Sequence, residues 1–479
     1  MLGLKSFHRP TIYALSTPLA RSAIGVIRIS GSQSSYIFNQ LTKSHPKHRI
    51  TSVRKLISPK SGILLDEALT IFFKGPHSYT GEDLLELHVH GGVAIIKNIL
   101  NEIKQLHNPD DDILIRYAEN GEFSHRSFLN GRFDLTELEG IREMIDAETE
   151  TQRISSLTSM TGKSKQIFNQ WRQELLQNIA LLTTVIDFGE DHDIEEISSL
   201  FEQVNDNLKK LHTEVHGFLK RVQNAEILLN GIKVTLLGPP NAGKSSLLNT
   251  IANKDAAIVS SIAGTTRDAI DIPLDVNGYK VVVGDTAGLR DVNLADEIEV
   301  EGIKRAKAKS VESDLVLVTL PTDYSFDDNE FIQHIKHLQS LEGPQIVGIL
   351  NKEDLVTSEH KNEVISKFQD VFGCPVFTIS CKTGSGTNEL IDELTHIFQR
   401  ISNTEKLPPI SISDRAKDIL INDVVYGIDQ FAQFKDDDDI VLATESLRQA
   451  VEGIGKITGE AIGIEEILGV VFSSFCIGK

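Results

Sequence analysis

Along residues 11–122, short apolar runs alternate with polar turns. Ala23–Ile29, Ala68–Phe73 and Leu84–Val89 have strand length, and Gly92–His107 is a helix candidate. This stretch reads as α+β. From 123 to 225 the pattern becomes that of long helices. Phe168, Trp171, Leu175, Ile179, Leu182 and Ile186 recur every three or four residues. Phe201, Val204, Leu208, Leu211, Val215, Phe218 and Val222 do the same, spaced nearly as a heptad. Each stripe gives its helix one face to bury, so core packing explains both better than a cofactor site does.

Between 226 and 400, strands and helices alternate. Ile232–Leu237, Tyr279–Gly284, Leu315–Leu320, Ile346–Leu350 and Val376–Ser380 are continuous apolar runs. Such runs suit strands of a mostly parallel sheet covered on both faces. Residues 401–479 turn helical again, with Pro408-Pro409 at the junction and Asp436–Asp439 reading as a solvated loop. The expected fold is therefore multidomain α/β. An N-terminal α+β domain (1–122) precedes a helical domain in two parts (123–225 and 401–479). A P-loop α/β domain (226–400) is inserted between those parts, feasible because domain termini often lie close together.

Composition narrows the class. The 479 residues are 40% hydrophobic and 24% charged, as in folded soluble proteins, and suggest two to four domains. No apolar run is long enough to span a membrane. Cys374, Cys381 and Cys476 are too few and scattered for a disulfide framework or a zinc site, which fits a reducing compartment. The net charge of −20 makes the protein as a whole repel nucleic acid. Any RNA contact must use a local basic patch or a partner's surface. The acid is unevenly spread: no Asp or Glu precedes Asp66, while Lys and Arg recur from Lys5 to Lys60. The start, MLGLKSFHRP, is basic, apolar and acid-free; a short organellar transit segment (residues 1–10) and an ordinary ragged terminus both fit it.

The chemistry concentrates in the inserted domain. Gly238-Pro-Pro-Asn-Ala-Gly243-Lys244-Ser245 fits the phosphate-loop pattern, follows a strand and precedes the helix-compatible SSLLNTIA. Glycines let backbone N–H groups turn toward phosphates, and the helix N-terminus favours negative charge. Asn241, Ala242, Gly243, Lys244, Ser245 and Ser246 are candidate phosphate contacts. Lys244 is placed to reach the β- and γ-phosphates, and Ser245 to hold Mg²⁺. Asp285-Thr286-Ala287-Gly288 closes the next strand; Asp285 can act on Mg²⁺ through water, and the Gly288 N–H can meet the γ-phosphate.

Asn351-Lys352-Glu353-Asp354 follows a further strand. A carboxylate at Asp354 can accept both guanine N1–H and N2–H, a donor pair that adenine lacks. Ser380-Cys381-Lys382 can present a backbone N–H to guanine O6. Each motif alone is weak, but four in order, each at a strand end, are highly specific for GTP. Gly264-Thr265-Thr266-Arg267-Asp268 is a candidate switch, since a threonine there can complete the Mg²⁺ shell only with γ-phosphate present. Arg267 reads as a structural residue before an internal arginine finger. Leu289 stands where many GTPases carry a water-orienting glutamine, so another group must position the water. Asp291, Asp296, Glu297, Glu299 and Glu301 follow; one of them can act through a bridging water, while a solvated helix face accounts better for any single one.

The terminal Phe475-Cys476-Ile477-Gly478-Lys479, with GPPNAGKSSLLN, GTTRD and DTAGLRD, resembles the MnmE (TrmE) family of tRNA-modification GTPases. TPLARSAIGVIRISG, GPHSYTGEDLLELHVHGG and GEFSHRSFLNGRFDLTELEGIREMIDAET extend the resemblance over nearly the whole chain. The basic start and PTIYALSTP resemble its mitochondrial, especially fungal, members, which implies the mitochondrial matrix; a bacterial source would imply the cytoplasm.

The resemblance implies a tetrahydrofolate-binding N-terminal domain that dimerises the protein, and G domains that pair across their nucleotide faces in a potassium-dependent way. It implies a flavoprotein partner of the MnmG type, carrying FAD. The two would add a carboxymethylaminomethyl-type group to C5 of the wobble uridine of certain tRNAs. The carbon donor would be 5-formyl- or 5,10-methylene-tetrahydrofolate, and the tRNA would bind largely through the partner. By motif, Asn241, Ser260, Ile262 (through its backbone) and Thr265 would ligate K⁺, while Thr266 and Ser245 would hold Mg²⁺. Glu299, in EIEVEGIKRA, matches the catalytic glutamate, with Glu297 and Glu301 as alternatives because the preceding loop is slightly longer than in bacterial members.

Arg28, Glu86, Arg132 and Lys479 match folate contacts. Without the resemblance, Glu86 reads as half-buried strand polarity and Arg132 as a surface charge. Arg132 stands where many relatives have lysine, and Asn120 replaces the proline usual before GEF, which would loosen that turn. Cys476 fits both an auxiliary residue near folate and a small apolar residue of the last helix. Two other functions compete: a GTP-switch factor in ribosome assembly, which would need an evident basic RNA-binding domain, and a folate-dependent aminomethyltransferase that carries a G domain.

Overall fold

The computed structural model describes residues 9–188, 194–254, 272–284, 307–341, 343–403, 409–436 and 439–461, together with 468, 471–473, 475 and 478. The chain divides into two compact units. Residues 1–142, 164–201 and 418–479 make the first; residues 143–163 and 202–417 make the second.

The first unit is built on a six-stranded sheet in the order β3-β4-β5-β2-β1-β6. The strands are β1 Thr11–Leu15, β2 Ile24–Ser30, β3 Ser52–Ile57, β4 Leu64–Phe73, β5 Leu84–His90 and β6 Ile115–Tyr117. Only the β1–β6 pairing is parallel. Alternation along β2 and β5 turns Ile27, Ile29, Leu85, Leu87 and Val89 to one face. There they pack against α1 (Ser34–Thr42) and α2 (Val93–Lys104) through Ile37, Phe38, Leu41, Ile96, Ile99 and Ile103. The opposite face of β2 and β5 carries Arg28 and Glu86, which are register partners. Thus the period of two that builds the core also presents two charged side chains together.

Helices α3 (Glu122–Leu129), α4 (Leu135–Asp146) and α6 (Lys163–Phe188) follow. The stripe on α6 is buried from Phe168 to Leu182, but Ile186 is 41% exposed. The helix therefore outruns the core that its stripe serves. C-terminal residues Leu468, Val471, Phe472 and Phe475 pack against Leu135 and Leu138 of α4. Two further helices precede them, after the short α12 (Asp414–Ile419): α13 (Tyr426–Asp436) and α14 (Ile440–Thr458). The acidic run separates these two, and Asp439 caps α14 by accepting from the Leu442 N–H at 2.9 Å.

In the second unit, α7 (Ile194–Asn230) feeds directly into β7 (Ile232–Leu237). Its stripe is buried at Val204, Leu208, Leu211, Val215, Phe218 and Val222. The second sheet runs β12-β11-β10-β7-β9-β8. Its strands are β8 Ile272–Val276, β9 Tyr279–Val283, β10 Leu315–Pro321, β11 Gln345–Asn351 and β12 Val376–Thr378. All pair in parallel except β8 with β9.

Helices cover both faces, as continuous apolar strands require. On one face α8 (Lys244–Lys254) and α11 (Thr387–Ile401) bury Leu247, Ile251, Leu390, Leu394 and Phe398. On the other, α9 (Asn329–Gln339) and α10 (Ser358–Phe372) bury Phe331, Ile335, Val364 and Phe368.

The helix α5 (Glu150–Met160) also belongs to this unit. Thr149 and Gln152 form a capping box at its start. Gln152 then donates to the Leu228 and Leu229 carbonyls at the end of α7, at 3.3 and 3.1 Å. Thr151 Oγ1 donates to the Gly278 carbonyl in the β8–β9 turn at 2.7 Å. These polar contacts join α5 to the end of α7 and to the β8–β9 hairpin.

Candidate functional site

The strand order of the second sheet sets where its loops gather. β7 lies between β9 and β10, so successive connections leave to opposite sides of it. Ligands of such sheets bind at the carboxyl ends of the strands, at that reversal. The loops 238–245, 351–354 and 380–385 all emerge from carboxyl ends, those of β7, β11 and β12.

The phosphate loop has the backbone its sequence calls for. Asn241 adopts φ 59 and Gly243 φ 92, the left-handed turns that aim successive N–H groups one way. A Cβ built on Gly243 would stand 2.0 Å from Asn351 Nδ2, so only glycine fits. Ala242 is fully buried beneath the loop. Lys244 opens α8, and its Nζ donates to the Gly238 and Pro239 carbonyls, each at 2.8 Å. The ammonium is thereby held at the start of the loop. Ser245 and Ser246 follow in the first turn of α8.

Asn351 ties the phosphate loop to the base loops. Its Nδ2 donates to the Ala242 carbonyl at 3.1 Å, and its Oδ1 accepts from Lys352 N at 2.8 Å and Cys381 N at 3.3 Å. The residue is 2% exposed. A buried amide with its donor and acceptor both satisfied fixes the spacing of three loops at once.

Asp354 is solvent-exposed and accepts from Ser380 Oγ at 2.6 Å. This hydrogen bond holds its carboxyl below the usual range, so the acceptor form persists through neutral and mildly acid pH. The Ser380 N–H is committed to the Ser385 carbonyl and that of Cys381 to Asn351. Among the described residues no acceptor takes the Lys382 N–H. Burial pushes the Cys381 thiol pKa up, so this cysteine is no reactive thiolate.

The supports of these loops were not legible as motifs. Glu353 pairs with Lys361 at 2.7 Å and also accepts from Ser385 Oγ. Thr322, at the end of β10, donates to the Lys352 carbonyl at 3.2 Å. Acid and hydroxyl residues on loops carry no periodic signal that would single them out.

Arg28 and Glu86 form a second constellation, in the first unit. Arg28 Nη2 lies 3.0 Å from Glu86 Oε1, with side chains 22% and 16% exposed. The guanidinium also sits over the Tyr79 ring, 5.3 Å from its centroid. The chain terminus comes to the same place: the Gly478 carbonyl accepts from Ser16 Oγ at 2.8 Å and Arg28 Nη1 at 3.4 Å. Gly478 has φ 89, and a Cβ there would lie 2.4 Å from the Leu15 carbonyl. Arg132 donates from Nε to the Ser78 carbonyl at 2.9 Å, next to Tyr79. A carboxylate that accepts N–H groups, a guanidinium that donates to anions and an aromatic face thus meet at one partly open spot.

The turn at Asn120 is braced by Glu122, which accepts from Glu119 N at 3.0 Å and from Arg116 Nη1 at 2.8 Å. The expected sites at Ser260, Ile262, Thr265, Thr266, Asp285, Thr286, Ala287, Gly288, Glu297, Glu299, Glu301, Cys476 and Lys479 lie outside the described residues.

Two family models match the chain: the GTP-binding protein TrmE N-terminus over residues 11–132 and the MnmE helical domain over 135–476. The mitochondrial tRNA modification GTPase MSS1 of Saccharomyces cerevisiae is 47% identical, covering 99% of this chain and 94% of its own. The mitochondrial 5-taurinomethyluridine-[tRNA] synthase subunit GTPB3 of Danio rerio is 36% identical, covering 98% and 93%. The tRNA modification GTPase MnmE of Rickettsia canadensis is 37% identical, covering 98% and 100%.

Proposed function

The chain belongs to the MnmE (TrmE) family of tRNA-modification GTPases, and from that premise we propose a potassium-dependent GTPase working with an MnmG-type flavoprotein. Its product is a carboxymethylaminomethyl-type group on C5 of the wobble uridine of certain mitochondrial tRNAs. As a member of the family it hydrolyses GTP in tRNA modification, and in the mitochondrion, where relatives from two yeasts and a fish are placed by name.

The observation that carries the finer reading is the coexistence of two sites in one chain. One is the phosphate loop locked to the base loops by Asn351. The other is the Arg28–Glu86 pair capped by the Gly478 carbonyl. A guanine nucleotide fits the first and a tetrahydrofolate the second.

The protein's own groups divide the work. The amides of 238–245 and Lys244 grip the phosphates, Ser245 and Thr266 hold Mg²⁺, and Asp285 acts on it through water. Asp354 reads the guanine edge, and the Lys382 N–H meets O6. Asn241, with Ser260, Ile262 and Thr265, holds K⁺ beside the phosphates. A monovalent cation there supplies the positive charge that an arginine finger supplies in other GTPases. Glu299 orients the attacking water, since Leu289 cannot. Arg28, Glu86, Arg132 and Lys479 hold the folate, which supplies the one-carbon unit; FAD chemistry belongs to the partner. The protein acts as a homodimer, its G domains meeting across their nucleotide faces. Hydrolysis forms no bond to uridine, so it drives assembly or opening of the modifying site.

GTP turnover by the purified full-length chain tests the cation mechanism. Turnover in potassium buffer is expected to exceed that in sodium buffer at least tenfold, and Asn241→Ala is expected to erase the difference. Equal rates in the two buffers would overturn the potassium site.

A further inference from the structure

The protein carries a net charge of −20, yet one edge runs the other way. Lys43, Lys47, Arg49, Arg54, Lys55 and Lys60 lie in a stretch with no acid before Asp66. The fold gathers them. Lys43 closes α1. The chain then bridges to β4, with His48 opposite Phe72 and the Arg49 N–H donating to the Phe72 carbonyl at 2.8 Å. From there β3 runs antiparallel to β4, from Ser52 opposite Thr70 to Ile57 opposite Leu64. Arg49, Arg54 and Lys55 are thus strung along the outer edge of the sheet. Lys60 stands in the β3–β4 turn, and Lys43 and Lys47 on the approach.

All six side chains are exposed. Among the described residues none is in an ion pair. Three arginines elsewhere in this unit are paired with acids, as Arg28–Glu86, Arg116–Glu122 and Arg126–Glu82. In the strand register Glu67 stands opposite Lys55, and Asp83 is drawn to Lys74 at 3.8 Å.

Cations on an edge strand guard it against pairing with other chains. That accounts for Arg54 and Lys55. It leaves unexplained the charges beyond the strand at Lys43, Lys47 and Lys60. It also leaves unexplained the contrast with the other edge, β6, where Arg116 is held by Glu122 at 2.6 Å. A second copy docking edge to edge would bring the same six cations against these, so self-association here is opposed.

We propose that the β3 edge is the surface on which this protein holds the phosphate backbone of its tRNA. The proposal rests on the reading of the chain as a tRNA-modification protein and adds where, on a strongly acidic molecule, the RNA can be tolerated. Interactions of this kind are with phosphate, so they position the RNA without reading its bases.

The test is binding of labelled tRNA to the full-length protein, followed from about 50 to 200 mM KCl. The combined variant Lys43→Gln, Lys47→Gln, Arg54→Gln and Lys55→Gln is expected to weaken binding at least tenfold at the low-salt end. The slope of log K against log salt is expected to fall by about 0.7–0.9 for each phosphate that the variant no longer neutralises. GTP turnover is expected to be unchanged, because these residues touch neither the nucleotide nor the folate site. The double variant Arg49→Lys and Arg54→Lys keeps the charge and is expected to keep the slope. An unchanged affinity and slope in the glutamine variant would overturn the proposal. So would loss of binding to anionic phospholipid vesicles in that variant with tRNA binding intact. In either case wobble-nucleoside analysis still judges the modification reading separately, because it reads whether the protein is needed and not where the RNA sits.

Discussion

Replacing Lys244 with alanine is expected to lower GTP turnover by about 10²–10³-fold, the usual cost of removing one preorganised charge from a developing transition state. The side chain makes its bonds to the Gly238 and Pro239 carbonyls and contributes nothing to the sheet core. Its loss therefore removes a cation at the phosphates without opening a cavity. Thermal unfolding of the variant is expected to match the parent. Coupled-phosphate kinetics with a melting curve on the same sample checks both statements. A variant that melts normally and still hydrolyses GTP at the parental rate would contradict the assignment.

The second large effect concerns the base. Asp354→Asn is expected to weaken GTP binding by about 10²–10⁴-fold, because a site built to accept two N–H groups is left facing them with an N–H donor of its own. The same substitution should admit xanthosine triphosphate, whose C2 carbonyl accepts where guanine donates. Asp354 is exposed, and its partner Ser380 Oγ can reorient, so the change should leave folding intact. Competition binding with GTP, XTP and ATP reads the result. Retention of the parental GTP preference would show that another residue reads the base.

Much of the nucleotide domain was legible because its strands are continuous apolar runs, which only a sheet buried on both faces tolerates. β7, β9, β10, β11 and β12 were found this way, within a few residues of their observed ends. β8 was not. Ile272-Pro-Leu-Asp-Val276 is interrupted by a proline and an acid, which an antiparallel edge strand accepts and a central one does not. In the N-terminal sheet the same logic failed for β3, whose Ser-Val-Arg-Lys-Leu-Ile is broken by two charges because it too lies on an edge. β6 is only three residues long, too short for any period to show.

The candidate site shows a similar division. Residue types and spacing single out Lys244, Asn351 and Asp354 as candidates, since few other side chains could do the chemistry proposed for them. Their partners were invisible. That Asn351 reaches Ala242 and Cys381, or that Gly478 lies on Leu15 and Arg28, depends on segments far apart in the chain coming together. The place of α5 beside the β8–β9 turn has the same origin: it rests on Thr151 meeting Gly278, more than a hundred residues away. Helical periodicity reports which face of a helix is buried, and is silent on what covers it.

The most direct test of the account is mass spectrometry of wobble uridines in mitochondrial tRNA from cells lacking this protein, rescued by the parent chain or by Lys244→Ala. Loss of the C5 group, restored by the parent and not by the lysine variant, is the expected result. Wobble uridines that keep their C5 modification without the protein would contradict it.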